Sequence, residues 1–355
     1  MFKFITLLCL WPHLGRGFVP LYTKQLTMSS GDSSKAVYKV IFIRHGQSTW
    51  NKANRFIGWT DSNLTKTGEI EARVAGKLLL AEGHKFDVVF TSLLKRSIKT
   101  AWVVLDELNL QHIPVISDWR LNERCYGALV GRNKKECVRT YGEDQVKVWR
   151  RSFSVRPPPI SEDSNLWPGN IPKYNFLERK FIPKTESLED TMKRSVYYWN
   201  NTIQPVVRKG KHVCICGHEN NLRSLFKHLD QVSDDNIRHV EIPRAVPLVY
   251  YFDENFKPIK QSNSAPYLSG SYLGEAEEIE AIQKRDLATV YDLSTDEDKE
   301  KNDVRFATKL GSLLQPLEND EIDSEKLESD DQCSGQDLHK NPLLLFGKII
   351  SNGKN

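Results

Sequence analysis

Two apolar, strand-like runs in this chain end on histidine. Val37–Ile43 leads into Arg44, His45 and Gly46, and the run HVCIC leads through Gly217 into His218. A third run, FDVVFTS, is followed by Arg96 in what reads as the first turn of a helix. These residue types suit phosphoryl chemistry. A neutral imidazole can attack phosphorus, an arginine fork holds phosphate bidentately, and a helix N-terminus offers free N–H groups to an anion. A single histidine at a strand end is ordinarily structural. Two of them, each beside a glycine and near arginines, read instead as a site.

The elements that position them alternate strand and helix. Val37–Ile43 is a β-branched, nearly continuous apolar run, as expected of a strand covered on both faces. Gly68–Gly83 places Ile70, Val74, Leu78 and Ala81 at helical spacing and stops on a glycine. FDVVFTS predicts the next strand, LLKRSIKTAWVVLDEL a helix and IPVIS a third strand. Ser187 to Asp190 resembles a capping box that opens a helix through MKRSVYYWNNTI. HVCIC is then a strand, NNLRSLFKHLD a helix, and PLVYYFD closes the series. Repeated β-α units imply an α/β fold with a mainly parallel central sheet and helices on both faces. In such sheets ligands sit beyond the carboxyl ends of the strands, where Arg44, His45 and His218 stand.

Composition narrows the function. The 355 residues, 39% of them hydrophobic, are enough for one full core with extra segments. The net charge of +4 hides an asymmetry, because the stretch from Asp292 onward holds 15 acidic residues against 8 basic ones. The remainder is strongly basic, which suits an enzyme that holds small multiply charged anions. Nucleic acid is disfavoured as a partner, since the basic residues gather at strand ends without aromatic interleaving on one face. The 6 cysteines form no C-x-x-C pair, against a structural metal or a disulfide framework. Residues 1–36 read as a leader or linker: Lys3, a short apolar run from Phe4 to Trp11, then Gly15 and Gly17 where a leader would be cut. That run is too short to span a bilayer, so stable membrane insertion is not expected; the location is cytoplasmic, or an organelle if the leader acts. Residues 292–355 are an acidic tail expected to be mostly disordered, with NPLLLFGKII either a docking peptide or a stray apolar patch.

The stretches RHGQSTWN, RFIGWTDSNLTKTG, TSLLKRSIKT, WRLNERCYGALVGRNK, GEDQVKVWRRSFSVRPPP, ESLEDT and GHENNLR resemble the cofactor-dependent phosphoglycerate mutases, within the histidine phosphatase superfamily. The similarity covers about residues 37–291, up to YLGEAEEIEA, and makes that stretch the expected catalytic domain. It implies a phosphoglycerate-mutase-like fold and interconversion of 3-phosphoglycerate and 2-phosphoglycerate, primed by 2,3-bisphosphoglycerate, in glycolysis and gluconeogenesis and without a metal. It implies His45 as the nucleophile that becomes phosphohistidine, with Arg44, Arg96, His218 and the amides around Asn220 holding the transferring phosphoryl group. Glu123 would be the general acid and base. Ser48, Asn51, Ile57, Gly58, Tyr126, Lys134, Arg150, Arg151 and Asn220 would line the place of the rest of the substrate, a small phosphorylated carboxylic acid. The proline-rich RPPPISEDSNLWPG would be a lid, and the family implies a homo-oligomer, dimer or tetramer.

This chain departs from the family pattern at four positions. Glu219 stands where the pattern has glycine, Cys125 where it has histidine, Ile57 where it has threonine and Gln47 where it has glutamate. A carboxylate roughly 6 Å from a phosphate charge costs about 3 kcal/mol at an effective dielectric near 20, if Glu219 points inward; pointing outward, it would favour the helix N-terminus. Cys125 reads as a small buried substitute or as a reactive thiol, and Cys214 and Cys216 as core residues. Two other functions stay open beside the mutase: a histidine phosphatase, in which water takes the phosphoryl group from His45, and a catalytically weak paralogue with an interaction or localised role.

Overall fold

Strands β1 (Tyr38–Arg44), β2 (Val88–Thr91), β3 (Val115–Ser117), β4 (Val213–Gly217), β5 (Leu248–Phe252) and β6 (Ser271–Tyr272) form one sheet in the order β3-β2-β4-β1-β5-β6. The structure is a computed structural model that describes residues 36–291. The leader expected over residues 1–36, bar its last residue, and the tail 292–355 with its apolar run lie outside the described residues. Helices are α1 (Thr49–Lys52), α2 (Lys66–Ala81), α3 (Lys95–Glu107), α4 (Lys134–Tyr141), α5 (Glu143–Arg151), α6 (Leu188–Tyr198), α7 (Gln204–Arg208), α8 (Glu219–Leu229) and α9 (Ala276–Tyr291).

The apolar run of β1 is buried on both faces because its side chains alternate between two cores. Val40 and Phe42 pack with Val213 and Ile215 of β4 and with Leu188, Val207, Leu222 and Phe226 from α6, α7 and α8. Ile41 and Ile43 face the other way, to Ala75 and Leu79 of α2 and Ala101, Val104 and Leu105 of α3. Each fully buried side chain of this size contributes roughly 1.5–3 kcal/mol. Cys214 and Cys216 lie in the second core. Burial raises both thiols, Cys216 to about 12, so they are inert packing.

Strands β1–β4 are mutually parallel, so β1 and β4, in register from Val40 opposite Val213 to Arg44 opposite Gly217, end together. That register carries His45 and His218 to the same edge. The helix starts are local. Thr65 caps α2 by accepting from Gly68 N, and Ser187 with Asp190 forms the expected capping box of α6. Gly83, at φ +68°, ends the α2 segment in a conformation that favours glycine.

The sheet is mainly parallel, as expected, and its exceptions lie at one edge: β5 runs antiparallel to β1, and β6 pairs antiparallel beyond it. The chain after α8 climbs back to the carboxyl end of β1, where Ala245 N donates to Arg44 O at 2.8 Å. It therefore enters β5 from the top. Among the described residues no helix is long and apolar enough to cross a membrane.

Candidate active site

At the carboxyl ends of β1 and β4 the His45 and His218 rings lie 5.0 Å apart between centroids. Local backbone settles the tautomer of His45. Its Nδ1–H donates to the Gly46 carbonyl at 2.6 Å, which leaves Nε2 with its lone pair, and Arg96 Nε donates to that atom at 3.2 Å. Burial, then Arg96 and Arg44, hold the imidazole well below its usual range, so it is neutral at physiological pH. Gly46 is required by space, since a Cβ there would sit 2.2 Å from Gly68 O at the start of α2.

Arg96 is fully buried and its other donors are fixed on backbone carbonyls, Gly58 O at 2.9 Å and Thr60 O at 3.0 Å. Gly58 can present its carbonyl this way because the turn runs at φ +58°. His218 Nε2 and Ser92 Oγ share a hydrogen bond at 2.7 Å, and that oxygen also accepts from Leu94 N at 3.1 Å. His218 Nδ1 and Arg44 Nε are buried and have no hydrogen-bond partner among the described residues. An arginine donor beside a neutral imidazole is thus left for an anion.

Glu123 hangs over the same cleft. Its carboxylate accepts from Arg124 N at 2.7 Å and from Asn220 N at 3.2 Å. The loop beneath it is braced by Arg194 of α6, which donates to the carbonyls of Arg120, Asn122 and Glu123 and pairs with buried Glu186 at 2.7 Å. Asn220 Nδ2 donates to Tyr126 Oη at 3.0 Å, and the Arg124 guanidinium lies 4.7 Å over the Tyr126 ring.

Of the residues expected at the site, Arg44, His45, Asn51, Ile57, Gly58, Arg96, Glu123, Tyr126, Lys134, Arg150 and Asn220 line one cleft. Three expected residues do not line it. His218 is fully buried behind His45. Ser48 is spent on the capping box of α1, its Oγ donating to Asn51 Oδ1 at 2.8 Å. Arg151 faces Glu219 and Glu241, at 3.3 and 2.8 Å. Arg55, Phe56 and Glu219 line the cleft as well. Arg55 and Phe56 directly precede Ile57, but nothing in their types distinguished them.

Glu219 resolves the alternative left open by its position. It points inward: its carboxylate bridges Arg44 at 3.0 Å and Arg151 at 3.3 Å. Burial would raise this carboxyl, but Arg44, Arg151 and Arg150 outweigh it and hold it well below the usual carboxylate range. Arg44 is shared further, donating to Ile242 O at 2.6 Å and lying 3.5 Å from Asp286 of α9. Lys134 is lowered to about 7, by burial first and then by Arg150.

Of the other departures, Ile57 lines the cleft, and Cys125 and Gln47 are structural. Cys125 is buried among Trp59, Ile160 and Trp167, and burial raises its thiol to about 12, which excludes the reactive reading. Gln47 is buried and accepts from Thr65 Oγ1 at 2.8 Å, tying the His45 loop to the cap of α2. The segment expected as a lid contributes nothing to the cleft lining. Its Ile160 and Trp167, with Tyr174 beyond, pack on Trp59 and Cys125, Tyr174 Oη donating to Trp59 O at 3.2 Å. Apolar side chains outside the cleft hold it there, so it buttresses the Gly58 and Glu123 loops.

The family model for the histidine phosphatase superfamily (branch 1) matches residues 40–264. Among solved structures the chain is similar to YhfR of Bacillus stearothermophilus, at 20% identity and TM-score 0.48, over 65% of this chain and 99% of that one. It is similar to a mycobacterial glucosyl-3-phosphoglycerate phosphatase at 19% identity and TM-score 0.47, over 60% and 92% of the two chains. An alpha-ribazole phosphatase from Shigella flexneri matches at 20% identity and TM-score 0.46, over 64% and 96%.

Proposed function

The chain belongs to the histidine phosphatase superfamily, branch 1, and from that membership we propose that it is a phosphoglycerate mutase that moves a phosphoryl group between two hydroxyls through His45. One observation carries this reading. The cleft lining carries two cationic stations, Arg96 beside His45 and, from α4 and α5, Lys134 and Arg150. A hydrolase that binds only a phosphoryl group needs the first; a transferase that turns a small anionic acid within the site uses both.

In this reading His45 Nε2 attacks phosphorus, the ester oxygen leaves, and Glu123 supplies its proton. Glu123 then removes the proton of the second hydroxyl as that oxygen takes the phosphoryl group back from Nε2. With His218 packed beside His45, Arg96 and Arg44 Nε would hold the equatorial oxygens, the electrostatic contribution that dominates such transfers. Lys134, Arg150, Asn51 and Tyr126 would hold the far carboxylate or phosphate. The open donor beside His45 and the cations at Lys134 and Arg150 fit 2,3-bisphosphoglycerate, which when bound would supply the first phosphoryl group to His45.

A second reading, a phosphatase, is favoured by the Glu219 carboxylate, which neutralises cations a doubly charged ligand would use. Phosphorus NMR of the full chain with 3-phosphoglycerate and a trace of bisphosphate separates the two. Formation of 2-phosphoglycerate at a bisphosphate-dependent rate supports the mutase. Inorganic phosphate as the product supports the phosphatase, and an unchanged spectrum overturns both.

A further inference from the structure

The carboxylate of Glu219 sits where a cleft built for anions would be expected to hold none. It follows His218 directly, at the first position of α8, and its side chain is 18% exposed, on the cleft side. Arg44 comes from the end of β1 and Arg151 from the end of α5, so the carboxylate ties three elements together at the wall of the cleft. Each arginine has a second carboxylate behind it, Asp286 for Arg44 and Glu241 for Arg151. Neither of those lines the cleft. Of the three carboxylates on Arg44 and Arg151, Glu219 is therefore the one that lines the cleft, beside the Glu123 carboxylate.

We propose that Glu219 is a specificity-determining residue, a built-in anion in the cleft wall that holds Arg44 and Arg151 and sets the cleft against ligands carrying two phosphoryl groups. A ligand with one phosphoryl group uses His45, Arg96 and Arg44 Nε and leaves Glu219 its ion pairs with Arg44 Nη2 and Arg151 Nη1. One with two must place its second group beside the Glu219 carboxylate or displace it. The inference rests on the proposed function for the identity of the two stations, and its consequence there is a high demand for the priming bisphosphate. Discrimination by a like charge placed against the unwanted ligand is a general device.

The experiment is calorimetric binding of a charge ladder, glycerol 3-phosphate, 3-phosphoglycerate and 2,3-bisphosphoglycerate, to the full chain and to Glu219→Gln. Glutamine keeps the shape and removes the charge. The bisphosphate should tighten at least tenfold, about 1.4 kcal/mol, and glycerol 3-phosphate less than threefold. Glu241→Gln, which removes the other carboxylate on Arg151, should leave the ratio of the two affinities unchanged, and thermal melts check that both variants fold. Equal tightening of all three ligands, no tightening, or the same ratio change in Glu241→Gln would overturn the proposal. Binding is read without turnover, so a chain that hydrolyses phosphoglycerate, and is no mutase, still reports on Glu219.

Discussion

The arginines at the cleft and behind it are held in opposite ways. Arg96, beside His45, is fixed by carbonyls, Gly58 O and Thr60 O, which orient the guanidinium without cancelling its charge. Arg44 and Arg151 are fixed by carboxylates, Glu219, Glu241 and Asp286, which orient and neutralise together. Arg96 and Arg44 are buried, and the Arg151 side chain is 13% exposed. The difference lies in what remains for a substrate: an arginine on carbonyls offers a full charge, whereas an arginine between carboxylates offers little unless one of them moves.

The comparison can be broken most severely at the proposed nucleophile. His45→Asn should lower phosphoryl transfer by at least about 10⁴-fold, as for loss of an attacking group, and abolish acid-labile phosphate on the protein after incubation with labelled substrate. Retained labelling would move the nucleophile elsewhere. Next is the carbonyl-held cation: Arg96→Ala should cost about 10²–10³-fold in kcat, the range for losing one preorganised donor to developing charge, in steady-state kinetics. A loss under tenfold would mean that Arg96 serves only to position the loop at Gly58.

At the carboxylate-held side the sign should reverse. Glu219→Gly should raise turnover, by up to about a hundredfold if the full 3 kcal/mol of repulsion is relieved in the transition state; unchanged turnover would show that the carboxylate swings clear when substrate binds. The smallest effect is expected in the pH profile. Lys134, at about 7 in the free protein, is an ammonium below that pH and neutral above it, and an anion bound beside it favours the charged form. Hence kcat/KM should fall as pH rises through about 7, by no more than tenfold per pH unit, and Lys134→Met should flatten that limb at a lower plateau. His45, held neutral well below its usual range, adds no limb there. A limb that persists in Lys134→Met would assign it to another group.

Legibility along the chain followed the range of the interactions. The β1 and β4 runs and the capping box at Ser187 are set by neighbouring residues, and the structure places them where the pattern put them. The antiparallel entry of β5 was not legible, because it depends on how the chain from Asp230 to Val246 packs over the end of β1. Likewise the packing of the proline-rich segment depends on Trp59 and Cys125, far away in the chain.

By itself the sequence determined the kind of chemistry, because strand-ending histidines beside glycines are a local pattern that periodicity exposes. It also located Glu219 as the anomalous residue. Whether that carboxylate faces solvent or the cleft was decided only by the tertiary structure, which brings Arg44 from β1 and Arg151 from α5 to within ion-pair distance of it. Charge interactions reach across space and depend on partners supplied by other elements, so no local pattern encodes which of two arginines will be left free for a substrate.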